Sequence, residues 1–533
     1  MSGREAWTPG QREEQLEQLR TAATHWHMII VGGGITGAGI AREAARRGLK
    51  VLLVERQDFA WGTSSRSSKM VHGGLRYMAA GDIRTTMHSV HERERLMTEV
   101  PGLVDRMDYM MAHYHGVFPG PLAFNSLLFI YDFFAGKRYR QFLPAAVLAK
   151  QNPLLKTERL SGGTRFADAV TDDARLVIRV LREAQRDGAV LLNYVGASRL
   201  LFTDGKVSGA ELQDSLSGAC FSAGADVVIN ATGAWADVLR AELGREKKIR
   251  PARGSHIVIP AERLPLSQSF TVLHPQDKRP VFIYPWEGRT VIGTTDLDNN
   301  GISNAEVAMT GEELTYLLAA VDYQFPAAQI RAEDIISSWA GVRPLVSSGA
   351  LNPSKEKREH SIWDDNGLVS VSGGKLTTFR LIALDVLDCA RKYIADYPDG
   401  HFSEQIFTAF CPDNALLNTV AAQYRQRLSG HYGAELPALL SLAGADELEA
   451  VADTHTLWAE LRWAAAHEAV VHLDDLLLRR TRLGLLLAQG GLDYEEKIRS
   501  ICQPLLGWDD DRWRWERERY REICRQYYSV PEH

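Results

Sequence analysis

Gly32-x-Gly34-x-x-Gly37 is the stretch of this sequence whose residue types and spacing restrict chemistry most narrowly. Glycine at 32 allows a tight turn, at 34 it lets backbone approach a diphosphate, and at 37 it lets a helix pack close on a strand. The first N–H groups of that helix would face the phosphates. Glu55 follows about 20 residues on, where an acid accepts hydrogen bonds from a ribose hydroxyl. This is chemistry for a dinucleotide, FAD or NAD.

Other residues suit anions. Thr63, Ser64, Ser65, Ser68 and Lys69 crowd hydroxyls and a cation into residues 61–77. His72, Gly73, Gly74 and Arg76 follow in the same segment. These hydroxyls and N–H groups would continue a diphosphate cradle, and Arg76 would meet an anionic substrate with two donors. Arg343 stands between Gly341 and Pro344, a tightly defined backbone that suits a clamp. Arg358 lies in the charged run 355–360, where a solvated face is an equal reading. Two more strand–glycine junctions add N–H groups: Ala231-Thr232-Gly233, and Gly373-Gly374-Lys375-Leu376-Thr377.

The elements that must position these residues can be read from the pattern. The apolar runs 28–31 and 51–54 are expected as buried parallel strands, with a small-residue helix between them that ends at Gly48. A helix is expected from 171 to 187, and strands near 189–195, 207–213 and 225–230. Residues 250–300 alternate as an antiparallel sheet, a roof over a substrate. Residues 82–100 read as a surface helix. The aromatic segment 107–142, with the basic Lys137, Arg138 and Arg140 at its end, reads as core in preference to an interfacial element. Residues 467–481 read as an amphipathic helix with a charged face. Trp508, Trp513 and Trp515 read as part of a packed terminal helix.

The fold class expected is α/β: a two-dinucleotide-binding-type FAD fold with an antiparallel-sheet substrate domain and an all-α C-terminal domain. The divisions are a polar extension at 1–27, an oxidoreductase region at 28–395, and a helical domain at 396–533. Within the second, FAD-binding segments fall at about 28–106, 165–250 and 335–395, and substrate or cap segments at about 107–164 and 251–334.

Net charge is −6, which argues against a nucleic-acid partner. The five cysteines are scattered, without the spacing of a metal or iron–sulfur site, and fit a reducing compartment. Residues 1–27 lack the apolar centre of a signal peptide and read as a frayed or helical surface extension. No apolar run reaches 18 residues, so no span is expected, which leaves room for a protein lying on a membrane.

In combination, several motifs carry a resemblance. They are Gly-Gly-Gly-Ile-Thr-Gly-Ala-Gly at 32–39, Thr-Ser-Ser-Arg-Ser-Ser-Lys at 63–69, His-Gly-Gly-Leu-Arg-Tyr at 72–77 and Asp-Asp-Ala-Arg-Leu at 172–176. To these add Gly-Ser-His-Ile-Val at 254–258, Ile-Gly-Thr-Thr-Asp at 292–296, Gly-Val-Arg-Pro at 341–344 and Gly-Gly-Lys-Leu-Thr-Thr at 373–378. The chain resembles the FAD-dependent sn-glycerol-3-phosphate dehydrogenases of the quinone-reducing respiratory type, from residue 28 to about 380 and more weakly beyond.

The resemblance implies non-covalent FAD, oxidation of sn-glycerol 3-phosphate to dihydroxyacetone phosphate, and a membrane quinone as acceptor. It also implies peripheral attachment to the inner face of the cytoplasmic membrane; a homodimer is left open. Such an oxidation needs a proton acceptor, a task for histidine near neutral pH. His72 is slightly preferred, with His256 nearly equal. Arg343 would be the main phosphate clamp, with Arg76, Tyr77, Lys375 and Arg358 around the substrate. Gly341, Gly374, Leu376 and Thr377 would join the cofactor cradle. The competing readings are a glycerol-3-phosphate oxidase that uses O2 and an amine or amino-acid oxidase on the same flavin fold.

Overall fold

A computed structural model describes residues 7–21, 24–75, 78, 81–299, 306–347, 360–398, 400 and 402–531. The strand His25–Val31 lies mid-sheet, with Val51–Glu55 on one side and Cys220–Asn230 on the other, both parallel to it. Val190–Asn193 and Leu368–Ser372 extend the parallel run at its two ends. Ser361–Asp365 closes the latter edge antiparallel. Strands covered on both faces must be apolar throughout, and Met28, Ile29, Ile30 and residues 51–54 are fully buried. The strands expected near 207–213 and 225–230 are present as Lys206–Asp214 and Cys220–Asn230.

The helix Ile35–Ala45 can lie close on this sheet because of its glycines. A Cβ on Gly37 would sit 1.9 Å from the carbonyl oxygen of Gly32. One on Gly39 would sit 2.8 Å from the ring of Phe379, at the start of the helix Phe379–Ala390. Both contacts are closer than any side chain tolerates.

The second sheet is the expected roof, and it reaches further than residues 250–300. Val104–Tyr114, Leu160–Thr171 and Ser337–Val346 join it. Its pairs are antiparallel, except that Ser269–Leu273 runs parallel to Val104–Tyr114. On Ile249–Pro260, residues 252, 254 and 256 share a face because strand side chains alternate. Their partners on Ser337–Val346 are Arg343, Gly341 and Trp339. One face of two neighbouring strands therefore carries His256, Trp339 and Arg343.

Four expectations are corrected by packing. First, of the two readings of the N-terminal extension, frayed or helical, the described part takes the helical one and is anchored rather than merely lying on the surface. Pro9–Thr21 is a helix, Arg12 reaches the carboxylate of Asp214, and buried Trp7 stacks on Phe59 at 5.1 Å. Second, Ile83–Glu99 is a helix but not a surface one. Its Arg93 is buried against Asp168 at 2.6 Å, and its Glu92 pairs with Arg380 at 2.7 Å.

Third, Pro121–Ala135 is only half core. Phe124, Leu128 and Tyr131 point inward. Leu122 (87% exposed) and Phe133 (76%), with Phe118 (81%) just before the helix, point outward. Fourth, residues 467–481 do not carry a solvated charged face. Arg479 and Arg480 are buried, and both bind Asp58, three residues after Glu55. The terminal helix Asp510–Ile523 buries Trp513 but leaves Trp515 exposed. Among the described residues, no helix is long and apolar enough to cross a membrane.

Candidate active site

The C-terminal ends of the central strands open into a cavity of about 1550 Å³. That exceeds the roughly 300–1,000 Å³ of an ordinary small-molecule site. At one end Gly32, with φ of 117°, turns the chain against Ala231. The helix that follows is capped from another segment, since the amide of Ile35 donates to Oγ of Ser64 at 3.0 Å. Glu55 accepts from the amides of Gly33 (2.7 Å) and Gln57 (2.9 Å). Burial raises its pKa, against the pull of those two amides. A carboxylate has about four acceptor positions, so two N–H donors leave room for ribose hydroxyls.

Asn230 ties the other two junctions together. Its amide donates to Ser370 Oγ at 3.2 Å, and its carbonyl oxygen accepts from Thr232 Oγ1 at 2.7 Å. Ser372 Oγ donates to the carbonyl of Gly233 at 2.9 Å. Gly373 and Gly374, with φ of 82° and 80°, complete the turn.

At the other end, His256 is buried and lies flat on the indole of Trp339, with ring centroids 4.7 Å apart. Its Nε2 shares a 2.9 Å hydrogen bond with Ser68 Oγ, and its buried Nδ1 has no hydrogen-bond partner among the described residues. Burial, then the charges of Lys69 and Arg343, hold its pKa well below the ordinary histidine range. Arg343 donates to Asp296 Oδ1 at 2.8 Å and to the carbonyl of Thr295 at 3.0 Å. Lys375 Nζ donates to Ser89 Oγ at 3.1 Å. Thr377 Oγ1 accepts the His72 amide at 3.1 Å and so fixes that loop.

The cavity brings together most of the residues singled out from the sequence. Gly32, Gly34, Glu55, Thr63, Ser64 and Ser68 line it, as do Ala231, Thr232 and Gly233. So do His72, Gly74, His256, Gly341, Arg343, Gly374, Lys375, Leu376 and Thr377.

Gly37, Ser65, Lys69 and Gly73 were expected on the cofactor and stand behind the wall instead. Gly37 serves helix packing. Ser65 is buried, its carbonyl accepting from Lys69 at 3.2 Å and Arg482 at 2.8 Å. Lys69 is an ion pair with Asp173 at 2.9 Å, between the rings of Trp286 and Trp339. Burial, then Arg482, push its pKa down to about 8. Gly73 packs under Tyr131, and its amide donates to Asp168 at 3.0 Å. Arg76, Tyr77 and Arg358 lie outside the described residues.

Sequence reasoning missed Trp61, Trp235, Lys278 and Arg279, which also line the cavity. Two adjacent cations at 278 and 279, just before the strand Pro280–Trp286, were the available signal.

A glycine-turned strand–helix cradle, a second junction closing on it and a roof sheet bearing a histidine define a flavin-dinucleotide oxidoreductase. The observed cradle fits FAD, with Glu55 at the ribose position and backbone at Gly32 and Gly34 open to the diphosphate. A family model described as FAD dependent oxidoreductase matches residues 27–380, and one described as the C-terminal domain of alpha-glycerophosphate oxidase matches 390–513. The chain is 35% identical to the aerobic glycerol-3-phosphate dehydrogenase of Staphylococcus haemolyticus (strain JCSC1435), over 86% of each chain. It is 34% identical to the protein of that name from Staphylococcus aureus (strain bovine RF122 / ET3-1), over 93% of each. The structure of the Bacillus halodurans glycerol-3-phosphate dehydrogenase complexed with FAD superposes with a TM-score of 0.79, at 27% identity, over 98% of both chains. The chain belongs to the FAD dependent oxidoreductase family, among the aerobic glycerol-3-phosphate dehydrogenases. Its cofactor is FAD.

Proposed function

We propose that this chain oxidises sn-glycerol 3-phosphate to dihydroxyacetone phosphate and delivers the electrons to a membrane quinone. The observation that carries this reading is the meeting, in one cavity, of a buried histidine with Arg343 and Lys375 beside the flavin cradle. FAD, when bound, supplies the acceptor for the hydride leaving carbon 2 of the alcohol.

The chain's own residues do the rest. Arg343 and Lys375 hold the phosphate, a task suited to a guanidinium fork and a point charge. His256 takes the hydroxyl proton as the carbonyl forms. It is preferred to His72 because its ring is fixed by Trp339 and Ser68, and its neutral form is favoured by burial.

Membrane attachment is supported by the outward apolar face of Pro121–Ala135 and by the basic residues after it, an arrangement suited to the headgroup region. Those cations are partly engaged, since Lys137 pairs with Glu94 and Arg140 with Asp132. The same helix also lines the cavity, at Ala123, Phe124 and Leu127. One helix thus borders both the lipid face and the cavity, which favours an acceptor dissolved in the bilayer over O2.

Anaerobic addition of sn-glycerol 3-phosphate to the yellow holoprotein is expected to bleach the flavin. A soluble quinone is then expected to restore the colour faster than air. Bleaching by an amino acid and not by the phosphorylated alcohol would remove the assignment.

A further inference from the structure

The roof contributes a second guanidinium at the phosphate end of the cavity, tied to Arg343 through one carboxylate. Arg279 lies at the edge of the strand Pro280–Trp286, and Asp296 at the end of the Ile-Gly-Thr-Thr-Asp motif. Asp296 divides its oxygens between them. Oδ1 accepts from Arg343 at 2.8 Å, and Oδ2 pairs with Arg279. Arg279 also donates to the main-chain carbonyl of Asp296 at 2.9 Å, while Arg343 donates to that of Thr295 at 3.0 Å.

The turn is itself fastened. Thr295 Oγ1 accepts the Ser255 amide at 2.9 Å and donates to Glu313 at 2.6 Å. Asp296 is buried and lies outside the cavity lining. Arg279 and Arg343 are about one-quarter exposed and line the cavity, with Lys278 beside them.

Two guanidiniums meet on one buried carboxylate, and Lys278 adds a further cation to the same lining. A phosphate monoester brings up to two negative charges near neutral pH. A shared carboxylate also fixes the spacing of two long side chains before the ligand arrives, which lowers the ordering cost of binding. We propose that Arg279 is a second phosphate-binding residue, and that Asp296 is a positioning residue holding Arg279 and Arg343 as a paired clamp. This deepens the reading of the cavity as a site for a phosphorylated alcohol and rests on it.

The test compares holoenzyme variants Arg279→Gln and Arg279→Lys with the parent in anaerobic flavin reduction, using sn-glycerol 3-phosphate, glycerol and inorganic phosphate as probes. Arg279→Gln is expected to raise the half-saturating concentration of sn-glycerol 3-phosphate by about tenfold or more, the scale of one charge-assisted contact. The saturated reduction rate is expected to stay within about twofold, a shift too small to mark lost transition-state contacts. Competitive inhibition by inorganic phosphate is expected to weaken in parallel. Any reduction by glycerol, which has no phosphate, is expected to fall no further than the saturated rate does, and Arg279→Lys is expected to recover part of the loss.

Equal losses with glycerol and glycerol 3-phosphate would overturn the proposal, because they would mark Arg279 as a structural prop. Unchanged half-saturation would overturn it too. Failure of the parent enzyme to bleach with glycerol 3-phosphate would sink the substrate reading instead. Binding of inorganic phosphate, followed by its perturbation of the flavin spectrum, would then decide the clamp on its own.

Discussion

Nε2 of His256 lies 2.9 Å from Oγ of Ser68, and both residues line the cavity. A base must be neutral to accept a proton. Burial, then Lys69 and Arg343, disfavour the imidazolium, so the neutral form persists to lower pH than in a free histidine. The acid limb of the flavin-reduction rate is therefore expected below the ordinary histidine value of about 6.5. Stopped-flow reduction from pH 5 to 8 checks this. A limb near the ordinary value, retained in His256→Ala, would assign the base to another residue. His256→Ala itself is expected to lower the saturated rate by roughly 10²–10⁴-fold, the range of general-base catalysis, with FAD content intact.

Gly37 makes a sharper structural demand. A methyl group there would meet the carbonyl oxygen of Gly32 at 1.9 Å, backbone against backbone, with no flexible side chain to yield. The helix Ile35–Ala45 would have to lift from the sheet and carry its N-terminus away from the diphosphate. Gly37→Ala is expected to purify without FAD or to be insoluble. A yellow variant with the parent's flavin ratio would show that the helix has slack at this point.

What was legible in the sequence was what the backbone settles locally. The turn at Gly32, the acid at Glu55 and the junction at 231–233 each depend on residues within one strand–turn–helix unit. Lys69 looked equally like a cofactor contact, yet its partner Asp173 and its two indoles come from distant segments. Charge alone cannot tell an ammonium facing phosphate from one sealed in an ion pair. Arg479 and Arg480 posed the same problem, for their spacing fits a solvated helix and the partner they share, Asp58, comes from a distant segment. The helix Pro121–Ala135 went wrong for a simpler reason. A rich aromatic content looks the same whether it faces the core or the outside, and only the neighbours decide which.

That outward face gives a prediction about attachment. Leu122 and Phe133 are exposed, and neither lines the cavity. Burying such a side chain in lipid is worth about 1.5–3 kcal/mol. Each of Leu122→Ser and Phe133→Ser is thus expected to weaken partition onto anionic vesicles by about tenfold, while anaerobic flavin reduction stays at the parent rate. Sedimentation with vesicles measures the first and stopped flow the second. Undiminished partition of the double variant would place the membrane contact elsewhere.

Asp58 joins the cofactor half of the molecule to its C-terminal helices. It accepts from Arg480 at 2.7 Å on each oxygen, from Arg479 Nε at 2.5 Å, and from Asn193 at 3.1 Å. Burial alone would raise its pKa, but Arg480 and Arg479 outweigh burial and hold it below the ordinary value. A carboxyl depressed in this way stabilises the fold above its unfolded pKa and loses that stabilisation as pH falls through the folded one. The parent is therefore expected to hold its stability at neutral pH and lose it in acid below about pH 4. Asp58→Asn keeps the shape but leaves buried Arg480 without its carboxylate and takes one of three from Arg479, and breaking a buried pair costs about 3–5 kcal/mol. Thermal unfolding is expected to start earlier in this variant at pH 7, with the difference from the parent shrinking at low pH. Because Asp58 lies three residues beyond Glu55, FAD release is expected to accompany the transition. A variant that unfolds at the parent's temperature would mean that Arg479 and Arg480 are held well enough by Asp474, Asp475 and main-chain carbonyls.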